Sequence, residues 1–487
     1  MTGSKKMAKP LNVLEMSATE LARCIRGREL SSREVVAAHI EHAQRVNPKL
    51  NAIVADRYPE ALAEAEAADR LLENSAGTGL GPLHGVPCTV KECFALTGMP
   101  QTAGLYARRD YRAPTDATVV ARLRAAGAIP IGVTNTSELC MWIESNNRVY
   151  GRSNNPYDQS RIVGGSSGGE GAIIGAGASP FGVGSDVGGS IRGPAFFNGV
   201  FGHKPTGGLV PNTGQFPATE GAAMRYLTTG PLSRRAQDLM PLLRLMAGPD
   251  GQDAGCDAWP LGDPGAVSMA GLRVLHVPDN GFTPVSEALR EAQRQAAHHL
   301  VSRGAKVEHV RFERFARSLE IWAAMLADSG GTSFEVLLGN GKEMLLGPEF
   351  LRWALGRSRH TLPALSLALI ERFVKGSPAQ NARFIEQGRK LRAELLEALG
   401  PDGVLLFPSY STVAPKHSEP LFPPIRWCYA AIFNVLELPA TAVPLGLDTQ
   451  GLPLGVQVVS AHGNDHVTIA VAMELERAFG GWVRPRS

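Results

Sequence analysis

The chain has 487 residues, 44% of them from the set AVILMFWYC and only 20% charged, which supplies a large core and excludes a disordered polymer. Lys plus Arg is 49 against 46 for Asp plus Glu, a balance of +3 with the basic residues scattered, so nucleic acid is not expected as a partner. The six cysteines, at positions 24, 88, 93, 140, 256 and 428, include no pair at metal-ligand spacing, which fits a reduced cytoplasmic setting and predicts no metal site.

Met1 to Pro10 is basic but leads into no apolar segment of signal-peptide length. Ser17-Ala-Thr-Glu20 and Ser31-Ser-Arg-Glu34 have the spacing of a capping box and predict two helix starts. The second helix carries Val35, Val36, Ile40, Ala43 and Val46 on one face and is expected to stop near Asn47-Pro48. Ala61 to Leu72, rich in Ala and Glu, predicts a third, so that residues 1–75 form a helical N-terminal segment. After Gly79, strand-type runs alternate with amphipathic helices: Val86 to Val90, a helix from Ala117 to Ala126 closed by Gly127, and Ile129 to Thr134. Leu272 to Val277, a helix from about Val285 to Val301, Lys306 to Val310, Val404 to Phe407 and Leu454 to Val459 continue the alternation. This order predicts an α/β fold with a central mixed β-sheet flanked by helices. Neither a repeat nor a low-complexity linker divides the chain, so one domain is expected. Residues 312–376 turn helical and apolar, through Trp322, Met325, Phe334, Leu337, Phe350 and Trp353, and read either as a packing layer or as a cap and channel over a site. No stretch reaches the roughly 20 apolar residues of a bilayer span.

Chemistry concentrates between Gly164 and Thr206, where glycine is dense but Ile173, Ile174, Phe181, Val183, Val187, Ile191, Phe196 and Phe197 are interleaved. A flexible linker would not carry those apolar residues, so the glycines are expected to serve close backbone approach, positive φ, or N–H groups converging on one point. A phosphate-cradling loop would need GxxxxGK[ST], or GxGxxG directly after a strand, and neither is present. Gly165-Ser166-Ser167-Gly168-Gly169 matches GxSxG with Ser167 as an elbow nucleophile, but the late acid and base candidates, Asp465 and His466, are adjacent and ill placed for a relay. Asp186-Val187-Gly188-Gly189-Ser190-Ile191-Arg192 offers another nucleophile, Ser190, behind two glycines that let the amides from Val187 through Ser190 form an oxyanion hole. A serine there still needs a base.

Three segments in order resemble the amidase signature family: Pro82-Leu-His-Gly-Val-Pro-Cys-Thr-Val-Lys91-Glu, Gly164-Gly-Ser166-Ser-Gly-Gly-Glu170, and Asp186 to Arg192. NVLELPATAVP at Asn434 to Pro444 and GLPLGVQV at Gly451 to Val458 look like its closing segments, so the likeness spans nearly the whole chain. The run from Glu170 to Thr206, with RWALGRSRHTLPALSLALIER, is most similar to the second type of the fatty-acid amide hydrolase branch. The resemblance implies the family's α/β/α fold and makes Ser190 the nucleophile, Ser166 a bridging serine after a cis peptide bond, and Lys91 the base. A neutral Lys91 amine would take the Ser166 proton while Ser166 takes that of Ser190, and burial of the lysine would favour that neutral form.

Val187, Gly188 and Gly189 are then expected to stabilise the oxyanion. Gly165, Ser167, Asp186 and Arg192 should hold the loops, with Glu170 in a similar role. His84 and His203 are expected to be structural, since the relay uses no histidine. The resemblance also assigns Cys140, Met141 and Trp142 to the acyl pocket, beside a reading of ordinary packing. The function implied is a serine amidohydrolase of hydrophobic or aromatic amides, extending to carbamates (urethanes) and esters, with no cofactor. Its partner would be a small-molecule amide or carbamate, and a homodimer stays open. An ammonia-releasing amidotransferase subunit and an esterase built on Ser167 are the alternatives.

Overall fold

The computed structural model describes residues 12–75, 78–374, 377–421, 426 and 428–486. The basic start and the last residues of the expected cap, 375 and 376, lie outside them. Helices Ala18–Arg26 and Ser32–Leu50 begin with the two capping boxes, each closed reciprocally by Ser17 with Glu20 and Ser31 with Glu34. The second helix runs past Pro48, where the sequence predicts its end. Asn51 ends it in the left-handed conformation at φ 47°, with its N–H on the Asn47 carbonyl, while the Asn47 side chain accepts from Ala52 and Ile53 at 2.8 Å.

Among the described residues, eleven strands form one mixed sheet, as the alternation predicts. They are β1 (Ile53–Asp56), β2 (Pro87–Lys91), β3 (Ile129–Thr134), β6 (Phe181–Asp186), β7 (Phe201–Lys204), β8 (Thr228–Ser233), β9 (Arg273–His276), β10 (Lys306–His309), β11 (Val404–Phe407), β12 (Ala440–Leu447) and β13 (Pro453–Ser460), while β4 (Asn146–Asn147) and β5 (Gly151–Arg152) make a separate hairpin. The spatial order is β1-β3-β2-β6-β8-β7-β12-β13-β11-β9-β10. β2 runs parallel to β3 and β6, and β8 turns antiparallel beside β6. With β3 on one side of β2 and β6 on the other, the strand order reverses between β2 and β6, and open α/β sheets leave a crevice at the carboxyl ends of strands at such a point.

Side chains alternate across the sheet. Val404 and Leu406 of β11 pack into one apolar layer, and Leu405 and Phe407 into the layer on the opposite face. Helices Thr118–Ala125, Leu239–Met246, Glu287–Ser302 and Asp465–Phe479 contribute to the first layer. Ser32–Leu50 and the buried Gly168–Gly175 pack against the other face near β3.

In the large sheet, β1, β6, β7, β8 and β12 have no counterpart among the strands expected from sequence. In β6 the glycines are required by contact: a Cβ on Gly182 would lie 1.9 Å from Glu170 Oε2, and one on Gly184 2.7 Å from Leu232. Close packing leaves Val183 as the one β-branched residue of β6, too few to mark a strand.

The apolar region after Phe312 is helical, as expected. Ser318–Asp328, Phe334–Leu338, Leu346–Ala354 and Leu362–Val374 follow one another, and Leu338, Leu346, Leu365 and Ala368 form a small core against Leu105 and Leu139. No helix among the described residues is long and apolar enough to cross a membrane.

Candidate active site

Lys91, the last residue of β2, is fully buried. Its Nζ donates to Ser166 Oγ at 2.6 Å and to Ser185 Oγ at 3.0 Å. Ser166 follows a cis peptide bond from Gly165, as the family resemblance implies. The close approach there explains one glycine, because a Cβ on Gly165 would lie 2.2 Å from the Trp142 carbonyl. Ser145, which sequence reasoning missed, ties the turn down: its hydroxyl donates to the carbonyls of Gly164 and Ser166 at 3.1 Å and accepts from Gly168 N–H at 3.0 Å.

Ser190 lies beyond β6, is 8% exposed, and lines the same cavity as Ser166. No hydrogen bond between the two hydroxyls is found among the described residues. The loop carrying Ser190 is held from inside. Asp186 accepts from Gly189 N–H at 2.7 Å, Ile191 N–H at 2.9 Å and the Arg192 guanidinium at 2.9 and 3.1 Å. Burial alone would raise the Asp186 carboxyl, but the Arg192 charge and these hydrogen bonds hold it well below the usual carboxylate range. The pair thus ties the loop down from inside.

One expectation is corrected here. Gly189 N–H faces the Asp186 carboxylate, so it does not join an oxyanion hole, whereas the amides of Val187, Gly188 and Ser190 find no protein acceptor among the described residues. Gly189, at φ 108°, is the residue that lets the loop fold back over Asp186.

Asn434 and Gln457 complete the support. Asn434 donates to the Asp186 carbonyl at 2.8 Å, and Arg192 donates to Asn434 Oδ1 at 2.7 Å, Gln457 Oε1 at 2.9 Å and the Ala430 carbonyl at 2.8 Å. Both residues sit in the closing segments that resemble the family, the one sequence signal that points to them.

Glu170 departs from the expectation. It lies behind Lys91 rather than on the Ser190 loop, accepting from Thr89 at 2.6 Å and Thr134 at 2.9 Å, and burial pushes its carboxyl up to about 8. Ser167 is fully buried, with its hydroxyl donating to the Ser185 carbonyl at 3.3 Å, and it is absent from the cavity wall. Asp465 is engaged by His203 at 3.0 Å and Thr206 at 2.6 Å, and His84 meets the Ala68 carbonyl at 3.0 Å, so these groups are structural.

The cavity measures about 390 Å³. Cys140, Met141 and Trp142 form part of its wall, on a turn where Leu139 and Cys140 are left-handed at φ 53° and 60° rather than in a regular helix. The helical region after Phe312 supplies another wall, with Leu326, Phe334, Leu337 and Leu367. From that wall Trp322 Nε1–H donates to the Val187 carbonyl at 2.8 Å.

The sequence profile of the family described as Amidase matches residues 34–469. The chain is 47% identical to fatty-acid amide hydrolase 2-A of Danio rerio over 97% of this chain and 90% of that one. It is 46% identical to fatty-acid amide hydrolase 2 of Homo sapiens, over 97% and 91% respectively. Among solved structures, the native peptide amidase of Stenotrophomonas maltophilia superposes with a TM-score of 0.80 at 26% identity, covering 98% of this chain and 99% of that one.

Proposed function

The chain belongs to the amidase family and is a hydrolase of carbon–nitrogen bonds other than peptide bonds; from that premise we propose a serine amidohydrolase acting through an acyl-enzyme on Ser190. The observation that carries the proposal is the 2.6 Å contact of fully buried Lys91 with Ser166, beside a cavity that Ser166 shares with Ser190. Lys91, when neutral, takes the Ser166 proton as Ser166 takes that of Ser190, and the alkoxide attacks the acyl carbon. The amides of Val187, Gly188 and Ser190 stabilise the developing oxyanion. The relay then returns the proton to the departing nitrogen, and water hydrolyses the ester.

A cavity walled by Met141, Trp142, Leu326, Phe334 and Leu367 suits a hydrophobic or aromatic acyl group. It disfavours the polar glutamine of an ammonia-releasing amidotransferase subunit. Carbamates differ at the acyl carbon by an alkoxy group and fit the same oxyanion site, and esters need less protonation of their leaving group.

A fluorophosphonate probe tests the assignment. Labelling and turnover are expected to vanish in Ser190→Ala and to persist in Ser167→Ala, and the reverse pattern would overturn it. Anilides, fatty amides, primary amides and aryl carbamates assayed side by side then rank the substrate classes.

A further inference from the structure

The peptide joining Val187 to Gly188 is trans, as is every described peptide bond except Gly165–Ser166 and Phe216–Pro217. In a trans peptide the carbonyl and the amide N–H point in opposite directions within one rigid plane. Whatever holds the Val187 oxygen therefore also aims the Gly188 N–H.

That holder is Trp322, whose Nε1–H donates to the Val187 carbonyl at 2.8 Å. The loop is thereby gripped on two sides. Asp186 fixes Gly189 N–H from within the core, and the indole fixes the preceding peptide from the helical wall over the cavity. Trp322 belongs to helix Ser318–Asp328, and Ala323, Leu326 and Ala327 on the same helix line the cavity with it. One helix therefore meets both the space for an acyl group and the peptide that carries an oxyanion donor.

We propose that Trp322 is a positioning residue: by holding the Val187 carbonyl it turns Gly188 N–H toward the oxyanion, and it transmits the fit of an acyl group against helix Ser318–Asp328 to that amide. The inference rests on the Ser190 acyl-enzyme reading. Two physical effects follow from the hydrogen bond. It restricts rotation of the peptide plane, so the donor is aimed before the reaction, and it polarises the Gly188 N–H along the peptide. Contacts made far from the scissile bond then raise kcat rather than only lowering KM.

The experiment is a series of acetyl, hexanoyl and decanoyl 4-nitroanilides assayed on wild type, Trp322→Phe, Leu326→Ala and Ser190→Ala, with active sites counted by fluorophosphonate labelling. Wild-type kcat is expected to rise with acyl length. Trp322→Phe keeps the aromatic face and removes the donor. Its kcat for the decanoyl substrate should fall about tenfold, below the roughly 100- to 1,000-fold cost of deleting an oxyanion donor outright, with KM changed less than about twofold and the rise with length flattened. A decanoyl trifluoromethyl ketone, which forms the oxyanion adduct, should weaken by about the same factor, while the corresponding methyl ketone should not.

Leu326→Ala retains the indole and removes cavity wall, so it reads the coupling even if Trp322→Phe fails to fold: the rise of kcat with length should flatten. A length-dependent kcat that survives in both variants, or a loss confined to KM, overturns the role of Trp322. Turnover retained by Ser190→Ala overturns the acyl-enzyme reading itself, and a dead Ser190→Ala beside a wild-type-like Trp322→Phe overturns the positioning role alone.

Discussion

Replacing Arg192 with Met keeps an unbranched stem of similar reach and removes five hydrogen bonds: two to Asp186 and one each to Ala430, Gln457 and Asn434. Both members of the Arg192–Asp186 pair are fully buried, so the carboxylate left behind has no solvent to turn to. Breaking such a pair from one side costs about 3–5 kcal/mol. The stranded acceptors add to that, less than additively, so a loss of about 5 kcal/mol is expected.

With an unfolding entropy of roughly 2.1 cal/mol/K per residue, a chain of 487 residues unfolds with about 1.0 kcal/mol/K, and the melting temperature should fall about 5 °C. Asp186→Asn removes the charge that needs Arg192, so the double variant should be less destabilised than the two single losses together. The coupling expected is about 2 kcal/mol. The Asp186 carboxyl is depressed in the fold, so its contribution is present above its unfolded value near 4 and is lost as pH falls through the lower folded value. Because burial raises the Asp186 carboxyl once the Arg192 charge is gone, the gap between wild type and Arg192→Met should be widest near neutrality, narrow as pH falls through the variant's higher folded value, and close in strong acid. Far-ultraviolet circular dichroism melts of the four proteins measure all of this. A fall under about 1 °C, or strict additivity in the cycle, would refute the reasoning.

Glu170 has the opposite sign. Its folded value of about 8 lies above the unfolded value near 4, so the native state binds the extra proton and stability falls as pH rises between the two. Glu170→Gln should therefore gain on wild type by about 1.4 kcal/mol per pH unit from pH 5 to 8, and a pH-independent difference in denaturant melts would contradict this. A Cβ on Gly189 would stand 2.6 Å from that of Ala430 at φ 108°, so Gly189→Ala should slow fluorophosphonate labelling about 5- to 150-fold, which is what 1–3 kcal/mol of backbone strain provides, and unaltered labelling would count against the proposed loop geometry. Ala327→Phe narrows the cavity from its helical wall. Excluding two methylenes at about 0.8 kcal/mol each should raise KM for a decanoyl anilide roughly tenfold more than for the acetyl one, and an equal effect on both would place the acyl group elsewhere.

Local patterns were enough for the helix starts at Ser17 and Ser31, for strands β3 and β11, for the helical region after Phe312 and for the place of Ser190 behind two glycines. Each rests on neighbours within a few positions in the chain, where spacing alone fixes the chemistry. The likeness of three segments to a family added Lys91 and Ser166, and Lys91 and Ser166 do meet.

Long-range contacts decided the rest. β6 leaves little mark in the sequence because Glu170 and Leu232 occupy the space its side chains would fill, and Glu170 is held behind Lys91 by Thr89 and Thr134, 81 and 36 positions away in the chain. That the Gly189 amide turns to Asp186, that Asn434 and Gln457 brace Arg192, and that Trp322 reaches the Val187 carbonyl are facts about residues 135 to 265 positions apart or about the hand of one glycine. A sequence records which groups are available to donate and accept. Which donor meets which acceptor is settled when the sheet and its covering helices close, because a buried polar group must take the partner that packing brings within about 3 Å.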